Sequence, residues 1–297
     1  MSRLARDDPS WRRALANAAV RAGGGMLLVL VALALFAPWL GTVDPTLFDT
    51  ASRDLRPGAL GTIMTPDGGS AAHLFIMGSD AYGRDLYSRV LYGARVSLAV
   101  GILAALLALA FGSLIGSAAG TLRRLDGPLM RVMDGLMALP AILVAIALVA
   151  LWRASLAAVI VAIAIPEMPR VARLARSLAL ELREELFVDA ARALGTPAWR
   201  IMQRHILPNM LAPLLVQGSY VCASAILVEA ILSFLGVGLP PEIPTWGNIM
   251  AEARLHFSEA PLNLFLPGAF LAVTVLAVNL LGDGLRDALD PKAVERR

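Results

Sequence analysis

A single carboxylate, Glu229, lies in an apolar run from about Met210 to Leu235. Burying an acid inside a membrane is costly, so such a residue faces a protein interior or a water-filled path. Two readings stand: a structural hydrogen bond to a neighbouring helix, or a side chain that lines or gates a pathway. Glu167 precedes Arg170 by three residues, the spacing of a local ion pair on a helix. The three histidines, His73, His205 and His256, are far apart and follow no metal-ligand spacing. No Gly-x-Ser-x-Gly elbow and no Walker-A loop occurs, and the single lysine, Lys292, has no glycine-rich context. Cys222, the only cysteine, sits in an apolar run and reads as a small buried hydrophobe. These residues offer pairing and hydrogen bonding inside a membrane. No catalytic, cofactor-binding or metal-binding residue is expected. If ATP drives this chain, another chain binds the ATP.

The elements that hold these residues are greasy. Of 297 residues, 58% are hydrophobic and 16% charged, with a mean hydropathy of +0.69. Ordinary soluble domains carry about 25% charged residues. Candidate spans begin at Ala22 (to Val43), Val96 (to Gly120), Gly135 (to Trp152), Ala154, about Met210 and about Leu262, the fourth with a short apolar part because it meets Glu167 and Arg170 early. The first follows a basic tail but is long for a signal peptide, and it reads as an uncleaved span. With six spans and both termini in the cytoplasm, 19 arginines and lysines fall inside and 7 outside, as the positive-inside rule requires. The arginines are scattered over short segments, which argues against nucleic-acid binding.

In the external stretch from Asp44 to Arg95, the first part reads as irregular. "GRDLYSRVLYGARVSL" reads as a short helix lying on the membrane surface. Gly112, Gly116 and Gly120 recur at four-residue steps, a pattern for close helix packing. After Glu229 the prolines 240, 241 and 244 prevent a helix from resuming, and Trp246 suits an interfacial position.

"FVDAARALGTPAWRIMQRHILPN", Phe187 to Asn209, falls on the cytoplasmic side. Phe187, Ala190, Ala191 and Leu194 share one apolar helical face, and Gly195 is a natural stop. Thr196 fits an N-cap before Pro197, opening a second short helix, and Pro208 marks the start of the fifth span. Such a unit suits docking on another protein; an amphipathic helix on the anionic inner leaflet is the alternative.

"DAARALG", nine residues and "HILP" together resemble the EAA loop of the permease subunits of bacterial ABC importers. "MGSDAYGRDLYSRVLYGARVSLAVG", "MDGLMALPAILVAIAL", "EAILSFLGVGLPPEIPTWGNIM" and "NLLGDGLRDALDP" extend the likeness from about Ile76 to Pro291. The chain resembles the C-type subunit of the dipeptide/oligopeptide/nickel permease family. The resemblance implies an all-α polytopic protein of the bacterial inner membrane: a five-span importer core plus an N-terminal helix. It implies residues 1–21 as a cytoplasmic tail, 22–43 as the first span and 44–95 as an external loop. The transmembrane domain would then be 96–283, with a coupling region at 184–208, and 284–297 a cytoplasmic tail. The implied partners are a paralogous permease, ABC ATPase subunits holding ATP and Mg, an extracytoplasmic substrate-binding protein and membrane lipid. The implied coupling residues are Asp189, Ala190, Ala191 and Gly195, joined by Phe187 and Leu194 from the apolar face read above; Asp189 stands where the motif usually has glutamate. The expected function is a non-catalytic permease subunit importing di- or oligopeptides or a related solute. An ion-coupled secondary transporter is the main rival, and it would call for an internal repeat.

Overall fold

The structure, a computed structural model, describes residues 15–65, 68–152 and 155–289. Most of the two basic tails lies outside the described residues. Ten helices and one hairpin occur among the described residues, in the order α1 (Ala18–Leu35), β1 (Ala59–Met64), β2 (Ser70–Phe75), α2 (Leu86–Thr121), α3 (Arg123–Met137), α4 (Ala141–Leu151), α5 (Leu156–Arg183), α6 (Leu186–Ala193), α7 (Ala198–Ile201), α8 (Leu207–Phe234), α9 (Trp246–Ala253) and α10 (Leu262–Leu289), with short 3₁₀ turns between some of them. Helices α1, α2, the continuous α7–α8 stretch and α10 are each long and apolar enough to cross a membrane. The bent pair α3–α4 forms a fifth candidate. Helix α5 has the length, 28 residues, and packs centrally against α2 and α8. The all-α, polytopic membrane class expected from the sequence is the one observed.

Several boundaries differ from the expected ones, each for a local reason. The first span ends at Leu35 and not Val43, because Pro38 opens a 3₁₀ turn at Ala37–Trp39. The third span is not one rod. Helix α3 stops at Met137, Pro140 caps α4, and the two meet at 90°. Leu139 precedes Pro140, a placement that disfavours helical backbone. The 11 residues of α4 reach about 16 Å, roughly half of a hydrocarbon core.

The external stretch also departs from expectation. Strands β1 and β2 pair antiparallel, Ala59 opposite Phe75 and Met64 opposite Ser70, with Ile63 and Phe75 buried. No separate surface helix exists: α2 runs unbroken for 36 residues from an N-cap at Asp85, whose carboxylate accepts from Ser88 N. The polar residues read as facing lipid headgroups are instead paired inside the protein. Arg89 is buried, and its Nη1 donates to Asp80 Oδ2 and Glu252 Oε2, each at 2.6 Å. Arg84 joins the same two carboxylates. Arg95 caps α1, donating from Nε to Ala34 O at 2.5 Å and from Nη2 to Leu35 O at 3.0 Å; the last carbonyls of a helix need such donors.

This network seats an outer cap on the bundle. Asn248 Nδ2 donates to Leu239 O, Pro240 O and Ile243 O at 3.0–3.1 Å, tying the proline-rich loop to α9. Trp246 is not interfacial. It is fully buried, with Nε1 donating to Val90 O at 3.2 Å; that internal partner replaces water.

The glycine stripe of α2 packs within the chain. A Cβ at Gly116 would lie 2.2 Å from Ala172 O and 2.7 Å from Ala175 Cβ; Gly112 meets Val171, and Gly120 meets Ala179. Alanines 172, 175 and 179 offer a matching small face on α5.

Candidate coupling surface and pathway face

The unit expected on the cytoplasmic side begins at α6, which leaves α5 at a turn around Glu184–Glu185. Gly195 ends it with φ +76°, a left-handed conformation that glycine adopts freely. Its N–H donates to Arg192 O at 2.9 Å, and Thr196 N donates to Ala191 O at 3.1 Å.

The apolar face read from spacing is divided between two surfaces. Val188 and Ala191 turn inward and join a core with Ala179, Ile201, Ile206 and Met210. Phe187, Ala190, Asp189, Leu194 and Gly195 stay exposed. Leu194 is 85% exposed and Leu186, which the spacing did not single out, 84%. Trp199 is exposed on the following turn. Asp189 accepts from Arg192 Nη1 at 2.9 Å, one turn on. The missed residues have a simple cause: an eight-residue helix packed on one side presents its opposite side, and sequence spacing alone does not say which side is packed.

The second short helix is not separate. Pro197, not Thr196, occupies the N-cap of α7, with no side-chain capping bond. A π-helical turn, Met202–Ile206, joins α7 to α8. Ala198–Phe234 is therefore one helix of 37 residues. The wide turn, with Leu207 N donating to Met202 O, absorbs Pro208, which cannot donate in the regular ladder.

At the outer end of α8, Glu229 is 0% exposed. It accepts from Ser233 Oγ at 2.8 Å and from Ser97 Oγ at 3.2 Å. Trp246 N, at the start of α9, lies 3.4 Å from the same Ser97 Oγ. Within this chain Glu229 is a junction of α2, α8 and the outer cap, enclosed on all sides. Glu229→Gln keeps one carbonyl acceptor for these hydroxyls in place of two, so a loss of about 1 kcal/mol is expected. Thermal denaturation of the solubilised complex should register it, while uptake per assembled complex stays near wild type. Uptake lost in a complex of unchanged stability would instead give Glu229 a role in the pathway.

Glu167, within α5, is buried. It accepts from Ser224 Oγ on α8 at 2.8 Å and from Arg170 Nη1 at 3.1 Å, so the local ion pair is present and has a third member. The face of α5 beyond it is polar: Arg170, Arg173 and Ser177 are all exposed. Arg173 donates to Asp134 of α3 at 2.6 Å, and Arg176 binds Asp126 through two nitrogens at 2.5 and 2.6 Å. A cavity of about 420 Å³ opens beside these α3–α5 pairs.

Outside the membrane, Asp54, His256 and Glu259 place ligand atoms within 4.8 Å of one another. Burial pushes the Asp54 carboxyl up, and His256 partly offsets it. Distance along the chain concealed this grouping.

A family model described as "binding-protein-dependent transport system inner membrane component" matches residues 108–295. Another, the N-terminal TM domain of oligopeptide transport permease C, matches residues 9–57. The chain is 50% identical to a probable peptide ABC transporter permease protein, y4tQ, of Sinorhizobium fredii, over 93% of this chain and 89% of that one. It is 42% identical to a di/tripeptide transport system permease protein, DppC, of Pseudomonas aeruginosa (91% and 87% covered). It is 40% identical to a glutathione transport system permease protein, GsiD, of Pectobacterium atrosepticum (95% and 90%). Among solved structures, a chain of the inward-facing MetNI methionine ABC transporter aligns with a TM-score of 0.58 at 18% identity, covering 68% of this chain and 97% of that one. That likeness concerns the fold.

Proposed function

The chain belongs to the family of inner-membrane components of binding-protein-dependent transport systems, and from that premise we propose that it imports peptides as half of a two-permease path, driven through α6. It is an ABC transporter permease subunit of the inner membrane. The peptide cargo rests on the names of its relatives. The observation that carries the coupling assignment is the outward apolar surface of Leu186, Phe187, Ala190 and Leu194 beside the Gly195 stop. Leucines so exposed at the cytoplasmic end of a membrane bundle are suited to a groove on a partner.

In this reading two ATPase subunits receive α6 of this chain and its counterpart on the paralogous permease. Their closure on ATP displaces α6, and the core formed by Val188 and Ala191 passes the displacement to α5 and α8. An extracytoplasmic binding protein delivers cargo to the outer cap. In this reading the ATPase subunits, not this chain, bind and hydrolyse ATP.

The test is reconstitution of this chain with its permease partner, ATPase subunits and binding protein in proteoliposomes. ATP-dependent uptake of labelled di- and tripeptides, insensitive to ionophores, is the expected result. Uptake that ignores ATP and collapses with an ion gradient would establish the secondary-transporter reading instead.

A further inference from the structure

Arg170 presents a charge where lipid cannot receive it. Three neighbours fix its depth. It is 14 residues inside α5 from Leu156, about 21 Å from the outer end. The adjacent Val171 packs on Gly112 of α2, itself eight residues, or about 12 Å, above the end of the charge-free run at Gly120. Glu167, one turn above, is bonded to Ser224 in the middle of α8. Arg170 is therefore inside the hydrocarbon thickness, yet its side chain is 54% exposed. An arginine at that depth faces a water-filled cavity or another protein surface, because lipid exposure is too costly.

Its surroundings are asymmetric. Arg173 and Arg176 are each held by an α3 carboxylate, Asp134 and Asp126. The hydrogen bonds of Arg170 among the described residues run from Nη1 alone, to Glu167 at 3.1 and 3.4 Å. Glu167 is itself fixed from behind by Ser224. The guanidinium is thus anchored through Nη1, while more than half of the side chain stays exposed. Guanidinium groups bind carboxylates through two parallel N–H donors.

We propose that Arg170 is a cargo-contact residue, receiving the terminal carboxylate of a peptide as it passes between the two permease subunits. The assignment rests on the peptide-import reading above. Glu167 has a second effect in this arrangement: its negative charge beside the guanidinium weakens the hold on an anion, so the cargo is received and then released. A site on a translocation path must do both.

The test uses the complete complex in proteoliposomes, with a peptide and its C-terminal amide that the wild type both imports. Each uptake rate for a variant is divided by the wild-type rate for the same cargo, which cancels selection by the binding protein. Arg170→Gln is expected to lower import of the free acid tenfold or more and that of the amide less than twofold, with Arg170→Lys restoring part of the acid rate. Separately, Arg170→Cys in a Cys222→Ser background is expected to react with a water-soluble anionic methanethiosulfonate, and saturating peptide should slow the reaction. Equal losses for acid and amide, or a cysteine that does not react, would overturn the proposal; a defect in assembly with no acid–amide difference would place Arg170 against the partner permease. If the wild type imports no peptide of any kind, the failure belongs to the functional reading, and the labelling result still decides whether Arg170 meets water.

Discussion

Gly116→Leu is expected to abolish recovery of folded complex from the membrane. A β-carbon at this position lies 2.2 Å from Ala172 O and 2.9 Å from Arg176 N. Both are backbone atoms of the opposing helix, so no side chain can rotate out of the way. The two helices must separate, and their contact is the most extensive in the chain. Overpacking alone costs about 1–3 kcal/mol, and a leucine would also open the alignment of Gly112 and Gly120 with α5. Gly135→Ala is the matched control: it also lies inside a helix, but a β-carbon there meets nothing within 4 Å. That change should leave yield unaltered or raise stability by about 0.5–1 kcal/mol. Size-exclusion profiles of the purified complexes compare the two. Wild-type yield for Gly116→Leu would mean that α2 and α5 do not cross as closely as described.

A second large effect is expected at the coupling surface, and it should leave folding intact. The Leu194 and Leu186 side chains are almost wholly exposed, so nothing in this chain depends on burying them. Changing both to aspartate should preserve the stability of the permease pair. Burying two leucines contributes about 1.5–3 kcal/mol each, so losing both weakens ATPase docking by about 100-fold or more. ATP-driven uptake should fall in step, and affinity purification should recover permease without ATPase. Val188→Asp is the contrasting substitution. Val188 is fully buried against the chain's own core, so a charge there should lower stability as well as docking. An ATPase that stays bound to the doubly substituted chain would remove α6 from the coupling path.

Much of the architecture could be read from residue order. Charge-free runs disclosed most spans, since hydropathy is local and lipid imposes it directly. The glycine stripe and the Glu167–Arg170 pair were legible because both partners, or one complete face, lie within a few residues. What escaped depends on contacts distant in sequence. "GRDLYSRVLYGARVSL" has the charge pattern of a headgroup-facing helix, yet Arg89 is neutralised by Glu252, 163 positions away. Trp246 has the chemistry of an interfacial anchor, but its N–H finds Val90 O within the cap. The β1–β2 pair alternates only weakly, with Ile63 and Phe75 its buried members. At the proposed coupling surface the stop at Gly195 was legible, while the inward turn of Val188 and Ala191 was not. Helical periodicity identifies a face but not which neighbour covers it.

The π-helical turn at Met202–Ile206 has a mechanical consequence. Because it bridges α7 and α8 without a break, the 37 residues from Ala198 to Phe234 form a lever about 55 Å long. Its short arm starts three residues after Gly195, and its far end carries Glu229 and the seat of the outer cap. A tilt of about 10° at the cytoplasmic end would carry the far tip by about 10 Å over that length. Gly195 then sits at the joint, and Glu229 links the moving tip to Ser97 of α2. Under the coupling proposed above, the continuity of this backbone from Ala198 to Phe234 would carry a displacement at one end to the other.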